Sequence, residues 1–168
     1  MTSFEHFLLK NSKIKLVIVV GDVNSTMACS ITAKKLNIKV AHIEAGIRSY
    51  DRTMPEEINR LVTDAISDFF FTTTHNASKN LLDQNIDKKS IFLVGNLMID
   101  SLLSNQHRLM KPDFLKRKNR KYCVLTMHRP SNVDSLENFE IIINKIAECC
   151  RNYEIIYSAH PRTLNNLD

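Results

Sequence analysis

The sequence predicts an α/β protein built on parallel sheet, and three observations carry that expectation. Short β-branched apolar runs alternate with stretches of helical spacing from Lys15 to about Leu103. The connections are only a few residues long, as in βαβ units with right-handed crossovers. Nearly every run also ends in a glycine or an ionisable residue, at the edge where open α/β sheets carry their chemistry.

The elements follow in order. Phe4–Leu9 is a short amphipathic stretch, read as a helix. Lys15–Val20 reads as a strand buried on both faces, because it is apolar throughout rather than alternating. Gly21-Asp22 ends it, Asn24-Ser25-Thr26 offer N-cap chemistry, and Met27–Leu36 has helical spacing. Ile38–Ile43 is the second strand. Pro55, Glu56 and Glu57 suit the first turn of a helix running to about Ser67, the carboxylates facing the positive end of its dipole. Asp68–Thr72 is a third strand. Thr74 or His75 starts another helix with Leu81 and Leu82 on its buried side. Ser90–Val94 is a fourth strand closed by Gly95-Asn96, and a further helix starts at Met98.

The pattern then breaks. Arg108–Arg120 is polar, contains Pro112 and lacks a period, so a linker is expected over 108–120 between a first domain, 1–107, and the start of a second, 121–168. Tyr122–Met127 is a strand, Ser131–Asp134 a loop, and Ser135 starts a helix with Phe139, Ile142, Ile143, Ile146 and Ala147 on one side. Glu154–Ser158 is a strand ending in His160-Pro161-Arg162. Two strands and a helix cannot bury both faces of a sheet. The expectation is therefore a piece of a larger two-domain protein, or a chain that needs a partner.

Charge and cysteine usage exclude several classes. The net charge of +5 is concentrated in Arg108–Lys121, where seven basic residues face only Asp113. No aromatic platform is interleaved, so this tract reads as a solvated linker and nucleic acid is not an expected partner. Cys29, Cys123, Cys149 and Cys150 have no CxxC spacing and read as reduced thiols of a cytoplasmic protein. No segment approaches the roughly 20 apolar residues of a membrane helix, and no basic stretch followed by an apolar one marks a signal peptide. GxGxxG, GxxxxGK[ST] and HExxH are all absent, which argues against a dehydrogenase, a P-loop NTPase and a zinc hydrolase.

The expected strand ends hold Asp22, His42, Glu44, Arg48, Glu56, Glu57, His128, Arg129, His160 and Arg162. Clustered carboxylates raise one another's proton affinity and suit acid/base work. Arginines and histidines suit a phosphorylated ligand. Each residue has a structural alternative: Asp22 as a helix cap, Glu44 with Arg48 as an ion pair, Glu56 and Glu57 as dipole partners, the histidines as satisfied strand-end residues. Taken together, those alternatives leave unexplained why ionisable groups recur at strand after strand.

Six stretches carry a family resemblance: Gly21-Asp22-Val23-Asn24-Ser25-Thr26, His42-Ile43-Glu44-Ala45-Gly46-Ile47-Arg48-Ser49, Met54-Pro55-Glu56-Glu57-Ile58-Asn59-Arg60, Gly95-Asn96, Thr126-Met127-His128-Arg129-Pro130-Ser131-Asn132 and His160-Pro161-Arg162-Thr163. In order and spacing they resemble the non-hydrolysing UDP-N-acetylglucosamine 2-epimerases, over essentially the whole chain. The resemblance implies two Rossmann-like domains of the glycosyltransferase-B type, the second incomplete here, and a homodimer in the full-length family. It implies inversion at C2 of UDP-GlcNAc to UDP-ManNAc by elimination and re-addition of UDP, with no metal and no cofactor, in sugar-nucleotide supply for polysaccharides. By motif, Asp22, Glu44 and Glu56 match the family's catalytic acids and His128 its active-site histidine. Arg48, Arg129 and His160 are candidates for substrate contact. Family members also carry a preceding strand with a basic loop and a C-terminal loop that hold the nucleotide, so the chain alone is expected to be inactive. An epimerase of a related UDP-2,3-diacetamido sugar and a non-catalytic nucleotide-binding fragment remain alternatives.

Overall fold

The computed structural model describes residues 1–116, 121–127, 130–159 and 161–164. The chain separates into two compact units, Met1–His107 and Arg108–Asp168. In the first, α1 (Thr2–Lys10) precedes β1 (Leu16–Val20), α2 (Asn24–Lys35), β2 (Lys39–Ile43), α3 (Pro55–Ile66), β3 (Phe69–Thr72), α4 (His75–Asp83), β4 (Ile91–Leu93) and α5 (Leu97–Asn105). The four strands pair in parallel in the order β1-β2-β3-β4, Leu16 to Val20 running beside Lys39 to Ile43.

This strand order explains why one expectation fails. Each crossover steps one strand in the same direction, so right-handed connections place every crossover helix on one face of the sheet. Val19 and Val40 point into that covered face, where they are buried with Leu8 of α1 and Ala33 of α2. The neighbouring positions of β1 point the other way and are bare: Leu16 is 42%, Ile18 59% and Val20 52% exposed. The strand read as buried on both faces is thus buried on one.

Under α4 a second cluster forms from Ala45, Phe70 and Leu81. Leu82, expected beside Leu81, is 42% exposed instead. A helix of nine residues presents a narrow stripe to a sheet, and Ala77 and Leu81, four apart, fill it. Thr74 caps α4, its hydroxyl accepting the Ala77 amide at 3.2 Å. The expected cap of α2 does not form: Val23 holds the N-cap position without a side-chain bond. Asn24 and Thr26 spend their polar groups elsewhere, Thr26 Oγ1 donating to the Val20 carbonyl at 2.7 Å.

The second unit contains a short α6 (Asp113–Lys116), β5 (Tyr122–Met127), α7 (Pro130–Val133), α8 (Leu136–Cys149), β6 (Glu154–Ala159) and α9 (Pro161–Leu164). β5 and β6 pair in parallel. Met127, Val133 and Phe139 form its buried cluster, with Ile142, Ile143 and Tyr157 packed against it. The stretch Ser131–Asp134, expected as loop, lies largely in α7, and Val133 buried within it supplies the apolar contact that stabilises the turn. Ala147, expected on the buried side of α8, is exposed.

Candidate functional site

The site is organised by α3, which turns its polar side inward. Glu57, Asn59, Arg60, Thr63 and Asp64 are buried, while Ile58 is 41% exposed. Buried polar side chains persist only when hydrogen-bonded. Glu57, Asn59, Arg60 and Asp64 find their partners in β2 and in the loops that follow β1 and β2, so the helix ties two strand ends together, while the Thr63 hydroxyl has no partner among the described residues.

Arg60 is the first knot. Its Nη1 reaches Asp22 Oδ2 at 2.6 Å, its Nε and Nη2 reach Glu57 Oε2 at 3.0 and 2.9 Å, and Nη2 also donates to Ser49 Oγ at 3.3 Å. Glu57 accepts the Ser49 amide at 2.9 Å, the Ser49 hydroxyl at 3.1 Å and the Tyr50 amide at 3.3 Å. Burial pushes the Glu57 carboxyl up, but the Ser49 amide, Arg60 and the Ser49 hydroxyl together hold it below the usual glutamate range. Asn59 adds Nδ2 bonds to the Asp22 carbonyl at 2.8 Å and to Asn24 Oδ1 at 2.9 Å. Asp22 is therefore held by α3 and does not cap α2.

The two glutamates that open α3 have separate roles. Glu57 points inward. Glu56 is exposed and lines a depression of about 420 Å³ together with Asp22, Asn24, Ser25 and Asn59. Glu44 stands at the end of β2 with φ +70°, a left-handed conformation that non-glycine residues rarely adopt. A Cβ added to Gly21 would lie 3.6 Å from Glu44 Oε2, so the Glu44 carboxylate sits beside the residue that precedes Asp22. Glu44 also lines an apolar hollow of about 290 Å³ formed on the bare sheet face by Ile18, Ile43, Phe71, Val94 and Leu97. Asp22, Glu44 and Glu56 thus lie at the same C-terminal sheet edge.

Arg48 is placed differently from expectation. It does not pair with Glu44 and does not face the depression. Its side chain is 2% exposed and its Nη2 reaches Asp64 Oδ2 at 2.7 Å, because Asp64 is fully buried and draws the nearest cation. His128, Arg129 and His160 lie outside the described residues.

Sequence reading passed over Arg60, Asp64, Asn59 and the inward role of Glu57. One signal was available: Glu57, Arg60 and Asp64 are spaced three and four apart, the spacing of a buried helical stripe, but they are charged.

This geometry can hold one carboxylate, Asp22, in place through Arg60. It leaves two others, Glu44 and Glu56, without side-chain hydrogen bonds among the described residues.

A family model described as UDP-N-acetylglucosamine 2-epimerase matches residues 1–168. A UDP-N-acetylglucosamine 2-epimerase homolog of Methanococcus maripaludis is 46% identical over 100% of this chain and 47% of its own length. A UDP-2,3-diacetamido-2,3-dideoxy-D-glucuronate 2-epimerase of Pseudomonas aeruginosa is 37% identical over 97% of this chain and 46% of its own. Among solved structures, the UDP-GlcNAc 2-epimerase of Methanocaldococcus jannaschii in complex with UDP-GlcNAc and UDP superposes with a TM-score of 0.81 at 42% identity, covering 99% of this chain and 47% of that one. The parallel sheets described above share the glycosyltransferase-B type architecture of these enzymes. The chain spans about half the length of the curated relatives it matches.

Proposed function

The chain belongs to the UDP-N-acetylglucosamine 2-epimerase family, and from that premise we propose that the whole protein inverts C2 of UDP-N-acetylglucosamine to give UDP-N-acetylmannosamine. The observation that supports this most directly is the α3 network, which gathers the loops carrying Asp22 and Glu44 at the sheet edge where Glu56 opens the helix.

The chemistry asks for more than one carboxylate. A base takes the C2 proton, the freed electron pair forms the C1–C2 double bond, and the C1–O bond breaks with its pair leaving on the diphosphate. The product of that half is UDP with a 2-acetamidoglucal. Re-addition of UDP at C1, with protonation of C2 on the opposite face, completes the inversion. Glu44, beside an apolar hollow and without a side-chain hydrogen bond among the described residues, suits a proton-transferring group. Asp22 and Glu56 border the neighbouring depression and supply acid/base capacity on another side. His128 is assigned near the departing UDP by its motif alone. Arg129 and His160 are assigned to nucleotide contact on the same ground. Arg48 is withdrawn from that list by its burial against Asp64.

The reading extends to a homodimer, to a cytoplasmic location shared with the sugar-nucleotide pool, and to supply of precursors for polysaccharide. It also takes 121–168 as the opening of the second Rossmann-like domain, with 108–120 as its basic linker. A second reading has a specific support: the 37% identity to the diacetamido-glucuronate enzyme suits the same elimination on that related sugar.

The test is incubation with each UDP-sugar in D2O, followed by NMR. Deuterium at C2 together with the C2 epimer identifies the substrate. Glu44→Gln should lower turnover by about 10²–10⁴-fold, the usual contribution of a positioned acid/base group. Unchanged turnover in that variant removes Glu44 from the reaction.

A further inference from the structure

Asp64 takes no part in the steps above, yet it is fully buried and serves three donors. Oδ1 lies 2.6 Å from His42 Nδ1. Oδ2 accepts the Gly46 amide at 3.1 Å and Arg48 Nη2 at 2.7 Å. Residues 42, 46 and 48 stand on both sides of Glu44.

His42 carries the tie further. Its other ring nitrogen, Nε2, is 2.9 Å from the Gly21 carbonyl. A carbonyl only accepts, so Nε2 bears a proton, and a further proton lies between Nδ1 and Asp64. The result is a short charge-assisted link from α3, through the interior of β2, to the backbone just before Asp22. Arg48 closes the other side, its Nη1 donating to the Ile47 carbonyl at 2.7 Å. Between these anchors the chain takes φ +70° at Glu44 and +76° at Gly46. A left-handed glutamate persists only where its surroundings over-determine it.

We propose that Asp64 is a positioning residue for Glu44: by tying down His42, Gly46 and Arg48 it holds the backbone of residue 44 left-handed and the Glu44 carboxylate against Gly21. The proposal rests on the reading of Glu44 as an acid/base group. A carboxylate serving stability alone would matter equally to the whole unit. A positioning carboxylate matters first to residue 44.

The Ala45 amide separates these roles. It follows Glu44 directly and bonds the Phe71 carbonyl at 3.1 Å, without touching Asp64. The experiment compares the 168-residue chain with Asp64→Ala and Asp64→Asn, reading amide hydrogen exchange at Ala45 against Val40, the latter buried in β2. Asparagine can keep the tie: its oxygen accepts from Gly46 and Arg48, and its amide donates to a His42 that retains only the Nε2 proton. The expected result is at least tenfold faster exchange at Ala45 than at Val40, each relative to wild type, in Asp64→Ala. Asp64→Asn should stay within threefold of wild type. In UDP-sugar turnover by the whole protein, Asp64→Ala should lower kcat at least tenfold with KM within twofold, and Asp64→Asn should recover most of it. Should Asp64→Ala fail to fold, Arg48→Leu removes one tie and should likewise raise exchange at Ala45 over Val40. The proposal is overturned by Ala45 and Val40 accelerating together, or by neither changing in the folded variant. Exchange needs no substrate, so a whole protein inert toward UDP-sugars counts against the epimerase reading while the exchange result in the 168-residue chain still decides the role of Asp64.

Discussion

Replacement of Gly46 by alanine tests how the loop after β2 is built. Gly46 has φ +76°, and an added Cβ would collide with the carbonyl oxygen of Ala77 and lie 2.9 Å from the Ala77 carbonyl carbon and Leu81 Cγ. Two costs follow. Holding a non-glycine residue left-handed costs about 1–2 kcal/mol. Forcing a methyl into a packed site costs about 1–3 kcal/mol. The clash is with helix backbone, and α4 cannot recede without opening the Ala45, Phe70 and Leu81 cluster and the 2.9 Å bond from Asn80 Nδ2 to the Gly46 carbonyl. The expected loss is therefore about 2–5 kcal/mol. Gly95→Ala is the internal control: Gly95 has φ +86° but an added Cβ meets nothing within 4 Å. It should lose only the backbone share, about 1–2 kcal/mol. Urea unfolding of both variants, followed by circular dichroism, measures the difference from the two midpoints. If Gly46→Ala is no less stable than Gly95→Ala, the close approach of α4 to residue 46 is wrong, and the packing argument falls with it.

Two further outcomes are expected. The Glu57 carboxyl is held below its ordinary value, so its bonds contribute stability above about pH 4.3, the unfolded value, and that contribution is lost as pH falls through the lowered folded value. Glu57→Gln should thus be less stable than wild type by about 2 kcal/mol at pH 7, with the gap closing in acid; a gap that stays constant down to pH 3 would contradict the assignment. The hydrogen bond with Cys123, and then burial, push the Cys150 thiol up, whereas Cys149 is exposed. Thiolate is the reacting form, so iodoacetamide at pH 8 should label Cys149 first, and mass spectrometry showing Cys150 labelled faster would refute that placement.

Much of the fold could be read along the chain, because its signals are local. Apolar runs at β1 to β4, the Pro55 start of α3 and the Thr74 cap of α4 each depend on residues within a few positions of one another. Errors arose where a residue's role depends on something distant in sequence. Arg48 is a candidate for substrate contact by its motif, yet its side chain pairs with Asp64, sixteen positions away on a helix. Asn24 was read as a cap, yet it accepts from Asn59. Burial of β1 was overestimated because an apolar strand does not state on how many faces helices will lie.

By itself the sequence determined the parallel α/β class, the order of its elements and the identity of the carboxylates that stand at strand ends. Periodicity, glycine placement and motif spacing are properties of neighbouring residues, and they survive without knowledge of the fold. Only the tertiary structure decided that α3 buries its charged stripe, that Glu57 and Glu56 face opposite ways, and that His42, Asp64 and Arg48 surround Glu44. Those facts follow from the pairing of buried charges across long sequence separations: once Asp64 is removed from water, the nearest available donors must satisfy it, and only folding determines which donors are nearest.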